Sequence, residues 1–438
     1  MKKDIVAVIL AAGKGKRFWP FVTDKNLFPF LGKPLALYMA DMKFHQSVSE
    51  VVFIANDTNK KTLQEMHMPV PHSVVVQKSG GGMADALMAA QSKIKGKRLL
   101  VIIGDDVTDQ SVMFQTVKKA ESGNYACVLP VWHVQTYYPG GYIRFRGERP
   151  IEIIEKPAKG KEPSAYVDFG GQYIRDADAF ITVLSHMSSA RDDVYERALS
   201  QLMATQECRT IPISEPFVSL KYPWHVLDVN RYFLSHRLAQ DPGKKVLLKH
   251  NVTIEGTVHF GNNVRVFENT KIIGPCFIGD NTIIGSNNIL RESSIGKNCV
   301  TGFNTDITRS YIGDDCWFHS NYIGDSVIEG NVSMGAGTVC ANLRLDEGEV
   351  TTDVHGIRIG TDRTKLGVMI AKNVRIGVNV SLMPGIKVGQ NSYIGAGVTL
   401  NTDLPDDSYC TAVNGYSVKK NNSTVSLAEH REQYKKRI

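Results

Sequence analysis

The sequence predicts two architectures in one chain: an α/β domain with a parallel sheet wrapped by helices, then a parallel β-helix. Three observations carry that reading. Up to about residue 240, short β-rich runs at 51–55, 73–77 and 99–103 alternate with helical stretches such as 84–94. This is the pattern of a sheet whose ligands gather at the carboxyl ends of its strands. Beyond Asn251 an aliphatic residue recurs every six positions, at Ile272, Ile278, Ile284 and Leu290 and again at Ile376, Leu382, Val388, Ile394 and Leu400. That period fits neither a 3.6-residue helix nor a two-residue strand. It fits stacked coils whose flat sides each point one aliphatic residue inward, with Gly and Asn at the corners. Finally, 438 residues are enough for two or three domains.

The first strand is the apolar run from Ile5 to Ala12, suited to the middle of a parallel sheet. It runs into Gly13 and Gly15, which let backbone N–H groups approach an anion. Lys14, Lys16, Arg17 and Lys25 crowd positive charge into the same turn. A strand end, bare backbone donors and fixed cations point together to a phosphate site. The lysine-serine/threonine ending of a P-loop is missing, and so is the third glycine of the dinucleotide fingerprint. Farther on, Gly104-Asp105 sets a carboxylate at the end of the run 99–103. Residues 229–250 read as a linking helix. The six-residue period relaxes between Ile295 and Ile328, and from about Cys340 to Gly367 it gives way to a polar loop thrown out of the coil. The expected division is therefore 1–240, 251–412 and a polar tail, 413–438, that ends in a short helix.

Composition narrows the classes. With 42% hydrophobic and 22% charged residues the chain is an ordinary globular protein. The net charge of +7 comes without a long basic run or interleaved aromatics, so it suits anionic small substrates and gives no case for nucleic acid. Seven scattered cysteines form no Cys-x-x-Cys pair, which argues against zinc and for a reducing compartment. Met1-Lys2-Lys3 precedes an apolar run too short for a signal peptide, and no segment is long enough to span a membrane. Cytoplasm is the expectation.

The loop resembles the signature of sugar-1-phosphate nucleotidylyltransferases. It carries Leu10-Ala11-Ala12-Gly13-Lys14-Gly15-Lys16-Arg17, Lys25-Asn26-Leu27-Phe28-Pro29 and Gly32-Lys33-Pro34. Lys16 stands where serine or threonine is usual, and Asp24 where proline is. The resemblance implies a Rossmann-like domain in which Leu10, Ala11, Ala12 and Gly13 line the nucleotide, and Arg17 and Lys25 are catalytic cations. It further implies that Asp105 and Asp228, the latter in Trp224-x-x-x-Asp228, hold Mg²⁺. Gln77 and Gly82 resemble the family's uracil-reading pair, with Met83 where threonine is common. A glutamine amide offers the donor and acceptor that uracil or thymine requires. Gly141 and Glu155, in Glu155-Lys156-Pro157, resemble the sugar-side elements. Asp168 and Phe169 lie where a further family asparagine would be.

The hexapeptide pattern resembles the left-handed β-helix of acyltransferases, which associates as trimers. His319-Ser320-Asn321-Tyr322-Ile323-Gly324-Asp325 resembles the His-x-x-Tyr-x-Gly-Asp segment of glucosamine-1-phosphate acetyltransferases. This implies His319 as general base, Tyr322 on the sugar phosphate, and Asn342, Ala396 and Lys365 beside acetyl-CoA. Ser333 replaces a usual asparagine, and the family's upstream basic ligands have no evident match. The expected whole is a bifunctional enzyme using a nucleoside triphosphate, a sugar-1-phosphate and acetyl-CoA. One alternative is a monofunctional glucose-1-phosphate uridylyl- or thymidylyltransferase with a scaffolding coil. A non-enzymatic assembly subunit is another, against which Arg17, Lys25, Asp105 and Asp228 argue.

Overall fold

The apolar strand Ile5–Leu10 lies at the heart of a mixed sheet because both its faces are covered. Ile5, Ala7 and Ile9 pack with helices Ser111–Glu121 and His225–His236, while Val6 and Val8 pack with Gly82–Ala89, Ala177–Ser185 and Val194–Thr205. The computed structural model describes residues 4–41, 47–78, 80, 82–215, 217–413 and 420. The short helix expected near the end of the 413–438 tail lies outside the described residues. Strand Ile5–Leu10 pairs in parallel with Val48–Ala55 and Arg98–Ile103, and His72–Val76 extends the same side. The expected runs are all strands. The wholly parallel sheet is corrected, however: Gln172–Ile174 joins Arg98–Ile103 antiparallel, and Gly141–Arg146 pairs antiparallel with Arg149–Glu155. The tight turn at Gly147, with φ 60°, leaves no length for a crossover, so that pair must reverse direction. The stretch 84–94 forms two helices, Gly82–Ala89 and Gln91–Ile94.

The second half forms three parallel sheets of nine, eight and seven strands among the described residues, one for each side of the coil. Ile272, Ile278, Ile284 and Leu290 are all buried in its core, as are Leu382, Val388 and Ile394. Asparagines at the corners adopt left-handed φ, from 56° to 59° at Asn263, Asn269, Asn281, Asn287, Asn298 and Asn304. Their amides link coil to coil, as in Asn263 to Asn281 at 3.1 Å and Asn281 to Asn298 at 3.1 Å. Between Ile295 and Ile328 the coils shorten: Val300 pairs with Trp317 and Trp317 with Ser333, in place of the 18-residue step from Arg265 to Ile283. That shortening explains the relaxed period.

The linking helix expected over 229–250 ends at His236, and the first coil strand is already Leu247–Leu248. Pro242 and Gly243, the latter with φ 62°, do not continue a helix. The excursion after Val339–Cys340 leaves the coil as expected and carries a hairpin, Thr351–Val354 with Ile357–Gly360. It folds back, so Val350 and Leu366 are buried in the core beneath the first domain's sheet. The seven-stranded side of the coil docks there as well, with the Tyr311 ring 5.2 Å from Phe28 and 6.0 Å from Phe30.

Candidate active sites

The loop leaving Leu10 is held by side-chain amides. Asn26 and Asn59 both donate to the Ala11 carbonyl, at 3.2 and 2.8 Å. Asp24, placed where the family has proline, accepts from the Asn56 amide at 3.0 Å and the Asn26 N–H at 2.9 Å. This fixes Ala11, Ala12 and Gly13 at the carboxyl end of the central strand. A Cβ on Gly13 would lie 3.5 Å from Lys25 Cε and 3.6 Å from its Nζ, so the ammonium sits over the loop glycine. Gly15, with φ 58°, starts the single turn Lys16–Phe18. The Arg17 guanidinium is exposed, 5.3 Å from the centroid of the Tyr222 ring.

Asp105 is 6% exposed and pairs with Lys25. Its neighbour Asp106 is buried too, and burial followed by the Asp105 charge pushes its carboxyl above the ordinary range. Ser219 donates to Asp106. Burial pulls the Lys221 pKa down, but Asp106, Tyr138 and Asp105 hold it above its usual value. Two adjacent buried carboxylates are thus balanced by two lysines. An all-oxygen pair of like charges suits a hard divalent cation, so Asp105 fits a magnesium ligand. Asp228, in the first turn of His225–His236, stands differently. Its carboxylate pairs with Arg363 from the excursion, and Arg231 lies 4.0 Å away. Among the described residues no group of three or more His, Cys, Asp or Glu makes a closed metal cage.

Gln77 and Gly82 are brought together: the Gln77 amide donates to the Gly82 carbonyl at 3.1 Å. Gly141 and Glu155 are direct cross-strand partners. Asp168 and Glu196 lie beside them, so three carboxyls gather around Gly141. Burial first, then the charges of Glu155 and Asp192, raises Glu196 to about 7. Burial holds the Asp168 carboxyl well above its usual range. Asp168 Oδ2 accepts from Gln172 at 2.8 Å, while the buried Oδ1 finds no partner among the described residues.

On the coil, His319 is exposed at a corner, its backbone N–H donating to Asn321 Oδ1 at 2.7 Å. Tyr322 follows on the strand Tyr322–Gly324, and burial, then Asp306 and Asp325, raises its phenol pKa. Arg309 grips Asp325 with two bonds of 2.7 and 2.8 Å, and the Asn342 amide donates to the same carboxylate. Tyr322, Asn342 and the neck of the excursion, where Lys365 bridges to Leu343, therefore share one edge. His319 lies across that side, at its opposite edge. Ala396 lies three coils farther along the His319 corner, roughly 14 Å at the usual strand spacing. One chain does not gather His319, Asn342 and Ala396 into a single pocket.

Sequence reasoning missed Lys221, Asp106 and Glu196, which show no motif and matter through burial. It also missed Arg309, whose charge acts on Tyr322, and Arg291, which pairs at 2.8 Å with Asp306, the cross-strand partner of Tyr322. Their signal was present in the eighteen- and sixteen-residue steps that stack them near Asp325.

A nucleotidyl transferase family model matches residues 6–210, and a bacterial transferase hexapeptide model of six repeats matches residues 367–402. The bifunctional protein GlmU of Methanococcus vannielii is 28% identical over 429 residues, covering 95% of this chain and 100% of that protein. The bifunctional sugar-1-phosphate nucleotidylyltransferase/acetyltransferase of Sulfurisphaera tokodaii is 31% identical over 407 residues, covering 91% of this chain and 98% of that protein.

Proposed function

The chain belongs to the family of bifunctional sugar-1-phosphate nucleotidylyltransferases/acetyltransferases, and on that premise we propose how its residues divide two reactions. In the first, a sugar-1-phosphate oxygen attacks the α-phosphorus of a nucleoside triphosphate and pyrophosphate leaves. Positioning and charge stabilisation dominate such a transfer. Arg17 and the Gly13–Gly15 amides stabilise the leaving pyrophosphate, and Lys25 neutralises the attacking phosphate. Asp105 and Asp228 would hold Mg²⁺, which when bound would offset charge on the triphosphate. Gln77 with Gly82 reads a uracil or thymine edge, while Gly141 and Glu155 hold the sugar. The product on this reading is UDP-N-acetylglucosamine or a close analogue. The observation that carries it is Lys25 seated over Gly13 and paired with Asp105.

In the second reaction the amine of an amino-sugar-1-phosphate attacks the acetyl-CoA thioester. A C–N bond forms and the C–S bond breaks; His319 takes the amine proton and passes it to the departing sulfur, so CoA leaves as the thiol. Tyr322 with Arg309 faces the sugar phosphate; Asn342, Ala396 and Lys365 flank acetyl-CoA. The separation of His319 from Asn342 supports a site shared between neighbouring coils of a trimer. The exposed Trp317, Phe303, Ile289, Tyr393 and Tyr409 on the outer sides of the coil suit such burial. No helix among the described residues is long and apolar enough to cross a membrane, and a cytoplasmic enzyme accords with the free cysteines. The test is the purified chain with a panel of triphosphates and sugar-1-phosphates, and acetyl-CoA with amino-sugar-1-phosphates. We expect pyrophosphate from UTP or dTTP, CoA from glucosamine-1-phosphate, and a trimer by light scattering. Inactivity across the panel, or a clean monomer with full acetyl transfer, contradicts the assignment.

A further inference from the structure

Between Arg17 and Lys25 the signature loop lies against the coil. Residues 19–23 have no regular structure, so their backbone N–H groups need partners from elsewhere. The coil supplies them. Glu329, just past the coil strand Val327–Ile328 and only 6% exposed, accepts the Thr23 N–H at 2.7 Å and the Val22 N–H at 3.2 Å. Trp19 Nε1 donates to Asp406 Oδ1 at 3.1 Å. The Lys387 ammonium stands 5.1 Å from the Trp19 ring centroid and is itself buried, paired with Asp403 at 3.0 Å and bonded to the Asp353 carbonyl of the excursion hairpin. At the loop's far end the Tyr311 hydroxyl donates to the Pro29 carbonyl at 2.8 Å.

A carboxylate buried at such a place is costly unless its oxygens are bonded, and bonds from N–H to an ionised acceptor are the strong kind. Glu329 spends its oxygens on the segment that spaces Arg17 from Lys25. The core of the coil requires none of these contacts. We propose that Glu329 is a positioning residue for nucleotidyl transfer: the coil fixes the distance between the two phosphate-binding cations of the other domain. The inference rests on the reading of Arg17 and Lys25 given above.

The experiment uses the full-length chain with Glu329→Ala and Glu329→Gln. It follows pyrophosphate release, CoA release and hydrogen exchange at the Val22 and Thr23 amides. Misplacing a reacting group by an ångström costs up to about a hundredfold, so Glu329→Ala should lower kcat for pyrophosphate release at least about tenfold. KM should change far less, because the loss falls on charge stabilisation in the transition state. Glu329→Gln, which keeps an acceptor oxygen, should recover part of kcat, and CoA release should match wild type in both. Wild-type kcat in Glu329→Ala while exchange at Val22 and Thr23 accelerates would overturn the proposal. Equal losses in both reactions would overturn it too. If Glu329→Ala does not fold, Glu329→Asp decides: it keeps the charge but draws the oxygens back from the Val22 and Thr23 N–H groups by one methylene, and wild-type kcat there overturns the proposal. Lys25→Ala, run in parallel, separates the two readings. If it retains full pyrophosphate release, the cation assignment has failed, whatever Glu329 does.

Discussion

Replacing Glu196 by Gln should stabilise the protein increasingly as pH rises. Burial, followed by the charges of Glu155 and Asp192, raises the Glu196 carboxyl from 4.5 to about 7, with Lys156 pulling the other way. At about 1.4 kcal/mol per pKa unit, that rise corresponds to about 3 kcal/mol between its two protonation states. The side chain is half-buried by surface area, so solvent screening reduces the expected effect to about 1–2 kcal/mol. The folded value lies above the unfolded one. The neutral form therefore contributes fully below pH 4.5, and that contribution is lost as pH rises through about 7. Gln has no charge to gain and keeps it. Melts of wild type and Glu196→Gln at pH 5, 6, 7 and 8 should diverge by about 1–2 kcal/mol in favour of Gln toward pH 8, read on the transition of the first domain. A constant difference across that range would refute the reasoning, since it would place the wild-type carboxyl at an ordinary pKa.

Gly104→Ala should lower nucleotidyl transfer and spare acetyl transfer. The new Cβ would lie 2.5 Å from Asn26 Oδ1 and 2.8 Å from the Leu10 carbonyl, at a cost of about 1–3 kcal/mol, and relief would move Asp105; unchanged pyrophosphate release contradicts this. Arg363→Ala should free Asp228 and tighten Mn²⁺ binding to the substrate-free chain several-fold, measured by electron paramagnetic resonance. Arg231→Ala, which removes the same charge from a cation 4.0 Å away, should change it far less, and equal shifts would leave the Arg363 pairing without a role at the metal.

Local chemistry was readable where it depends on a single strand end or turn. Gly13, Lys25 and Asp105 stand out in sequence at strand ends and in a basic turn, and the fold brings them together. The inward aliphatics from Ile272 to Leu290 announce the coil because each side of it repeats one environment. What escaped depends on distant packing. Nothing near Glu329 in sequence says that its oxygens reach residues 22 and 23, and nothing in 340–367 says that Arg363 turns back to Asp228. Pro242 and Gly243 mark the end of the helix in sequence, whereas the apolar run through Leu234 carries no stop of its own. Antiparallel pairing between 127 and 174 escaped for a similar reason, since short strands separated by turns carry no direction of their own.

The separation of the two chemistries is tested most directly by measuring both reactions on Asp105→Ala and His319→Ala in the same assembled protein. Removing one preorganised charge costs on the order of 10²–10³ in rate, and removing a general base about 10²–10⁴. Asp105→Ala should therefore lose pyrophosphate release and keep CoA release, while His319→Ala should do the reverse. The contrary result is His319→Ala that acetylates at the wild-type rate, or Asp105→Ala that still releases pyrophosphate at full speed.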